Sequence, residues 1–284
     1  MNTFVFQFAN GNVLFLGLLM TNIACVLQLR HHKRWLHSAM TIIAVVGAIF
    51  VFLSSTPLPL WVYVAWAFSF AMFIISANSS QKYICRLQPF AIGCLVIIST
   101  AMLAAELPYH MKPCLSFPRN KPLFVIGDSL SIALEKNVAP WPNILEKTSG
   151  LAVTNLAVGG NTVARALKEA DIIYDMDASV LLEIGGNDLL DDINPAQFEV
   201  DLRNLLDRVC KPGRVVAMFE LPLLPFHNRF GRLQRKYADS HGVILIPKKY
   251  MTSVFAYPDA TIDGLHLSQV GHEKMASLLN DIIE

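Results

Sequence analysis

Apolar residues are spread very unevenly along the chain. The first 110 positions hold four long, nearly uninterrupted apolar stretches, about Val13 to Leu29, Ala39 to Leu53, Leu58 to Ala77 and Phe90 to Leu107. A bilayer core takes about 20 apolar residues per helix, and about 17 at the least. The third stretch clears this length, and the first can extend back toward Phe4. The second reaches it only if His37 and Ser38 are included. A single stretch of this kind suits a buried core helix. Four in succession, joined by short polar loops, predict an all-α bundle of about four transmembrane helices. Trp35, Trp61, Tyr63, Trp66 and Tyr109 fall near the predicted ends, where interfacial aromatics belong.

After position 120 the pattern changes to short apolar runs bounded by turn residues. Leu123 to Gly127, Val153 to Val158, Ser179 to Ile184, Arg214 to Phe219 and Val243 to Ile246 read as strands. Leu130 to Val138 has helical composition. Asn161 to Ala170, Pro195 to Val209, Asn228 to Ser240 and Ser268 to Ile283 complete the helical segments. Strands alternating with helices predict an α/β domain whose parallel sheet is covered on both faces. Between the two regions lie Pro108, Pro113, Pro118 and Pro122, which disfavour a continuing helix and suggest a short, semi-rigid spacer. The expected organisation is therefore a membrane region over 1–110, a Pro-rich linker over 111–120 and an α/β domain over 121–284.

Charge sharpens this division. The net charge of +1 combines 23 basic with 22 acidic residues, yet Glu106 is the only acid before Asp128. The second region is mildly acidic, and no basic patch calls for nucleic acid. Arg30, Lys33 and Arg34 lie between the first two spans, and Lys82 and Arg86 between the last two; the loop Ser54 to Pro57 and the N-terminal tail carry no Lys or Arg. The positive-inside rule puts both basic loops in the cytoplasm and the domain after the fourth span outside, periplasmic or at the cell surface. Lys112, Arg119 and Lys121 oppose that assignment. The first span has no basic segment before it, so it reads as a retained anchor rather than a signal peptide. Of the five cysteines, Cys25, Cys85 and Cys94 lie in or beside the spans. Cys114 and Cys210 are open to pairing only if the domain faces an oxidising compartment. No metal-ligand spacing is present, so no metal or organic cofactor is expected.

Four fragments of the second region carry candidate chemistry. Ser129, in Gly127-Asp128-Ser129-Leu130, directly follows the first strand, where open α/β sheets place their ligands. Its N–H would sit at a helix N-terminus and suit a developing oxyanion. Gly160, in Asn155 to Thr162, offers an unobstructed N–H, and Asn187, in Gly185-Gly186-Asn187-Asp188, an amide donor. Asp263 and His266 lie three residues apart, so one loop can hold a base and the carboxylate that orients it. Each fragment also has an ordinary reading: Asp128 and Ser129 as helix caps, Gly160 and Asn187 as turn residues, Asp263 and His266 as surface groups. His227, His241 and His272 read as solvated or helix-end residues.

Taken together and in this order, the fragments resemble the SGNH (GDSL) hydrolase family, over roughly Lys121 to Glu284. The matching positions are Ser129, Gly160, Asn187 and His266, with Asp263 completing the triad. The resemblance implies a three-layer, flavodoxin-like fold and serine-esterase chemistry on acyl esters, O-acetyl or lipid among them. The triad would be Ser129, Asp263 and His266, and the oxyanion hole Ser129, Gly160 and Asn187. Two alternatives stay open: acyl transfer to a cell-surface glycan, and an inactive membrane-bound scaffold. The segment Glu220 to Phe226 follows the fourth strand, and its Leu223, Leu224 and Phe226 are candidates for an acyl-binding wall or a bilayer contact. The expected partners are an acyl-ester substrate and the lipid bilayer; the sequence leaves the oligomeric state open.

Overall fold

The computed structural model describes residues 3–30, 34–79 and 81–284. Lys33, one of the residues used for orientation, lies outside the described residues. The chain forms two compact units. One comprises residues 7–110 and 223–228; the other comprises 111–222 and 229–284, with the first few residues of the chain.

The first unit is helical: α1 (Thr3–Ala9), α2 (Asn12–Arg30), α3 (Arg34–Leu53), α4 (Leu60–Asn78), α5 (Lys82–Cys85) and α6 (Gln88–Glu106). Four helical spans, Asn12–Leu29, Trp35–Leu53, Leu60–Asn78 and Tyr83–His110, are long and apolar enough to cross a membrane by length and composition. The second span reaches full length by including His37 and Ser38. Helices α2 and α3 approach closely at two glycines, since a Cβ on Gly17 would meet the Gly47 carbonyl oxygen at 2.6 Å. Small residues at such a crossing let helix backbones pack without a hydrophobic driving force. Of the aromatics expected at the interfaces, Trp35 and Trp61 are exposed, but Tyr63 and Trp66 are buried. The Trp66 indole donates to Ser99 Oγ at 3.0 Å, and Ser99 donates to Asn22 Oδ1 at 3.1 Å. A buried indole needs such a partner, so Trp66 is a packing residue rather than an interfacial one.

The second unit is a five-stranded parallel sheet with strand order β2-β1-β3-β4-β5. Its strands are β1 (Leu123–Gly127), β2 (Val153–Asn155), β3 (Ser179–Glu183), β4 (Val216–Phe219) and β5 (Ile244–Ile246). Its helices are α7 (Trp141–Ser149), α8 (Leu167–Ile172), α9 (Gly186–Leu190), α10 (Pro195–Val209), α11 (Asn228–His241), α12 (Lys249–Phe255) and α13 (Gln269–Asn280). The sheet is the expected three-layer α/β fold. Alternate residues of each strand face opposite ways. Leu123, Val125, Leu181, Ala217, Phe219 and Ile246 join a core with residues of α7, α12 and α13. Phe124, Ile126, Val180, Leu182 and Met218 are buried as well and point to the other face.

Two expectations change. Residues 111–120 are not a free spacer: Leu115 and Phe117 belong to the sheet's core. Leu115 also donates from its N–H to the Ile282 carbonyl and accepts from the Glu284 N–H. Its apolar side chains, not its prolines, decide its place. Leu130 to Val138 is not a helix. One 3-10 turn, Ser129–Ser131, follows β1, and Ile132 is already extended. Asn137 at φ 69 and the extended Pro140 then redirect the chain into α7.

Candidate active site

The carboxyl ends of β1, β2 and β3 carry the first three fragments. Asp128 caps the turn after β1, its Oδ1 accepting from the Leu130 N–H at 3.0 Å. Ser129 follows on the turn itself, half-buried. Because the turn spans only three residues, the Ser129 N–H gains little from a helix dipole. Gly160 follows β2, exposed, at φ 71, a left-handed conformation that favours glycine. A Cβ there would touch nothing within 4 Å.

Hydrogen bonds lock these loops together. The Val158 N–H donates to the Gly127 carbonyl at 3.1 Å, and Asn155 Nδ2 donates to the Ser131 carbonyl at 2.7 Å. Asp188 Oδ2 accepts from the Val163 N–H at 3.0 Å. Asn187, in the first turn of α9, donates through Nδ2 to Asp128 Oδ2 at 3.1 Å and to the Asn161 carbonyl at 2.9 Å. Both of its N–H groups are therefore engaged in this state. To serve an oxyanion, one must be shared or released.

The fourth fragment is a tight loop before α13. Thr261 and Leu267 form an antiparallel bridge. Within it Asp263 Oδ1 accepts from the N–H groups of Leu265, at 2.9 Å, and His266, at 2.8 Å. Its other oxygen, Oδ2, is 2.6 Å from His266 Nδ1. The hydrogen bond from His266 is the main reason the Asp263 carboxyl is held well below the usual carboxylate range. An Nδ1–H engaged with a carboxylate leaves Nε2 as the free, proton-accepting nitrogen. Among the described residues the Ser129 hydroxyl makes no hydrogen bond, so the Ser129–His266 contact is not closed in this state. Catalytic hydrogen bonds are often long before substrate binds.

The influence of His266 on Asp128 is electrostatic and favours that group's charged form. Burial is the largest influence on Asp128 and raises its pKa. Burial raises Glu183, at the end of β3, well above the ordinary value, with the Asp128 charge adding to the effect. Asp188 is raised as well, again chiefly by burial. Glu183 escaped the sequence reading although it carried a signal: a lone acid closing the apolar run Ser179 to Glu183.

His272 is the clearest correction among the histidines. It is fully buried on α13, and its Nδ1 accepts from the Trp141 N–H at 3.3 Å. Burial lowers its pKa to about 4, so it stays neutral near pH 7 and caps α7 rather than meeting solvent. Leu223 is buried too, whereas Leu224 and Phe226 are 60% and 79% exposed. All three belong to the unit of residues 7–110, not to the unit that carries Ser129. Cys114 and Cys210 are free thiols, Cys114 exposed. Among the described residues no cluster of His, Cys, Asp and Glu is suited to hold a metal ion.

Comparison with known proteins matches residues 125–274 to the GDSL-like Lipase/Acylhydrolase family. Thioesterase 1/protease 1/lysophospholipase L1 of Escherichia coli K12 is 29% identical over 155 residues, covering 51% of this chain and 74% of that protein. Esterase TesA of Pseudomonas aeruginosa is 26% identical over 168 residues, covering 55% of this chain and 77% of that protein. A crystal structure of the psychrotrophic esterase EstA from Pseudoalteromonas sp. superposes with a TM-score of 0.51 at 18% identity, covering 57% of this chain and 95% of EstA. That likeness concerns the fold.

Proposed function

This chain belongs to the GDSL-like lipase/acylhydrolase family, and we propose that Ser129, His266 and Asp263 carry its ester hydrolysis at a membrane. The observation that carries this reading is the 2.6 Å contact of Asp263 with His266 Nδ1. It leaves the other imidazole nitrogen ready to act as a base.

Ser129 Oγ attacks the ester carbonyl as His266 Nε2 takes its proton, and the new imidazolium is steadied by Asp263. The N–H groups of Ser129 and Gly160 and the Asn187 amide meet the oxyanion. Each such donor contributes about 3 kcal/mol, or 10²–10³ in rate. When the tetrahedral intermediate collapses, the ester C–O bond breaks and the imidazolium protonates the departing alkoxide. Water, deprotonated by His266, then releases the acyl group. A sugar hydroxyl in the place of that water would make the same acyl-enzyme a transferase, and an inert scaffold would form no acyl-enzyme.

A chain-length series of p-nitrophenyl esters on the detergent-solubilised protein tests the reading. A sharp preference for acetate would point to deacetylation, and a preference for long acyl chains to lipid esters. A labelled acyl donor, with and without a glycan acceptor, separates hydrolysis from transfer.

The proposal places the helices of the first unit in a bilayer. Arg30 and Arg34 flank the join of α2 and α3, and Lys82 and Arg86 lie between α4 and α6. The positive-inside rule then sets the catalytic unit outside the cytoplasm. Cys114 supplies a native reporter, being an exposed free thiol. A membrane-impermeant maleimide is expected to label it in intact cells or spheroplasts, and Cys114→Ser to abolish that labelling. Labelling that requires lysis would reverse the orientation.

A further inference from the structure

Directly behind the nucleophile turn, two carboxyl side chains share one buried site. Glu183 is 1% exposed and Asp128 3% exposed. Glu183 Oε2 lies 3.4 Å from the Asp128 backbone nitrogen, so the two carboxyl groups crowd one water-poor site, where a negative charge on one disfavours a charge on the other. One of the two therefore keeps a proton. The surrounding donors say where. Asp128 accepts from the Leu130 N–H through Oδ1 and from the Asn187 amide through Oδ2. Glu183 Oε2 accepts from Ser131 Oγ at 2.8 Å and from the Asp128 N–H at 3.4 Å. The electrostatic influence of His266 also favours the charged form of Asp128. The anion is best placed on Asp128 and the proton on Glu183, the more buried of the two.

We propose that Glu183 is a positioning residue: its protonated carboxyl donates to Asp128 and so holds both the Ser129 turn and the Asn187 amide in place. The inference rests on the esterase reading of the site. Glu183 reaches no reacting atom. It acts on the Ser129 turn through Ser131 and the Asp128 backbone, and on Asn187 through the Asp128 side chain. The titratable groups facing the pair from neighbouring elements are His266, from the loop before α13, and Asp188, from α9. Ionising Glu183 would place two negative charges in contact in a buried site and push Asp128 away. The turn and the Asn187 amide would lose their register, and kcat would fall on the alkaline side of the rate profile.

The test uses the full-length protein in detergent. Glu183→Ala leaves Ser131 Oγ and the Asp128 N–H without their acceptor, and is expected to lower kcat about 10²-fold with little change in KM, the size of losing one oxyanion donor. Glu183→Gln imitates the protonated acid, since its oxygen accepts and its NH₂ donates to Asp128. It is expected to recover most of the activity lost in E183A and to remove the alkaline fall of kcat seen in the wild type. If E183A does not fold, judged by its near-ultraviolet circular dichroism, E183Q decides alone. An independent readout is infrared: the carbonyl stretch of a protonated carboxylic acid should be present in the wild type and missing from E183Q. The same rate profile in wild type and E183Q, or an unchanged infrared band, would overturn the proposal. The infrared result needs no turnover. A wild-type protein that hydrolyses no ester would therefore sink the functional reading and leave this one to be judged by its band.

Discussion

Ser129→Ala is expected to reduce kcat for ester hydrolysis about 10⁶-fold, as loss of the nucleophile does in other serine hydrolases. The substitution removes one half-buried hydroxyl that has no hydrogen-bond partner among the described residues. The thermal midpoint and the circular dichroism should therefore match the wild type. What remains, about 10³–10⁴ over the uncatalysed rate, would come from the oxyanion donors and from binding. Adding His266→Ala should cost little more, because a base without its nucleophile has no proton to take. Covalent labelling by a fluorophosphonate should vanish in S129A alone and in the double variant. Retention of more than a few per cent of the activity would remove Ser129 from its role.

The sheet was readable because its signals are local. A run such as Leu123 to Gly127, bounded by Pro122 and Asp128, announces a buried strand wherever it stands, and the five runs came out in the right places. The later strands proved shorter, β2 ending at Asn155 rather than Val158. There the chain leaves the ladder to bring Gly160 round, and the Val158 N–H turns to Gly127. Helix α7 was missed. It has only nine residues, and its boundaries lie in the extended Pro140 and the left-handed Gly150, with Pro142 near its start. The segment after Ser129 failed in the opposite direction. Helical composition from Leu130 to Val138 was overridden by the demand for a tight turn that presents a serine.

The fragments of the site were legible as residue types in a fixed order, but not as a network. Asp128 looked like a cap, and it is one, yet its second oxygen holds Asn187. That contact joins residues far apart in sequence, and no periodicity encodes it. The Glu183–Asp128 contact is of the same kind, and only the incongruity of an acid in a buried strand hinted at it. Trp66 and His272 show the limit from the other side. Residue type suggested an interface for Trp66 and a solvated or helix-end place for His272; His272 does lie in the first turn of α13, but burial depends on partners such as Ser99 and Trp141 that only the folded chain supplies.

Asp263→Asn is expected to lower kcat by about 10³ and to leave KM nearly unchanged, somewhat less than the 10⁴ found where the triad carboxylate is buried. The smaller figure follows from exposure, because the Asp263 side chain is 51% accessible and water can replace part of what it provides. Its two functions are separable. Oδ1 pins the loop by accepting from the Leu265 and His266 N–H groups, and Oδ2 fixes the imidazole through Nδ1. Asparagine keeps the first function with its own carbonyl oxygen. At the second position it presents an N–H, which favours a hydrogen-free Nδ1 and places the hydrogen on Nε2, where it can no longer take the Ser129 proton. Alanine does the reverse: it frees the loop but lets water serve Nδ1. If the carboxylate works through the tautomer and the imidazolium, D263N should be at least as slow as D263A, and fluorophosphonate labelling of Ser129 should slow by the same factor as kcat. If its only work is to shape the loop, D263N should stay within about tenfold of the wild type and D263A should be clearly worse. Steady-state kinetics on the two variants would decide between these orders.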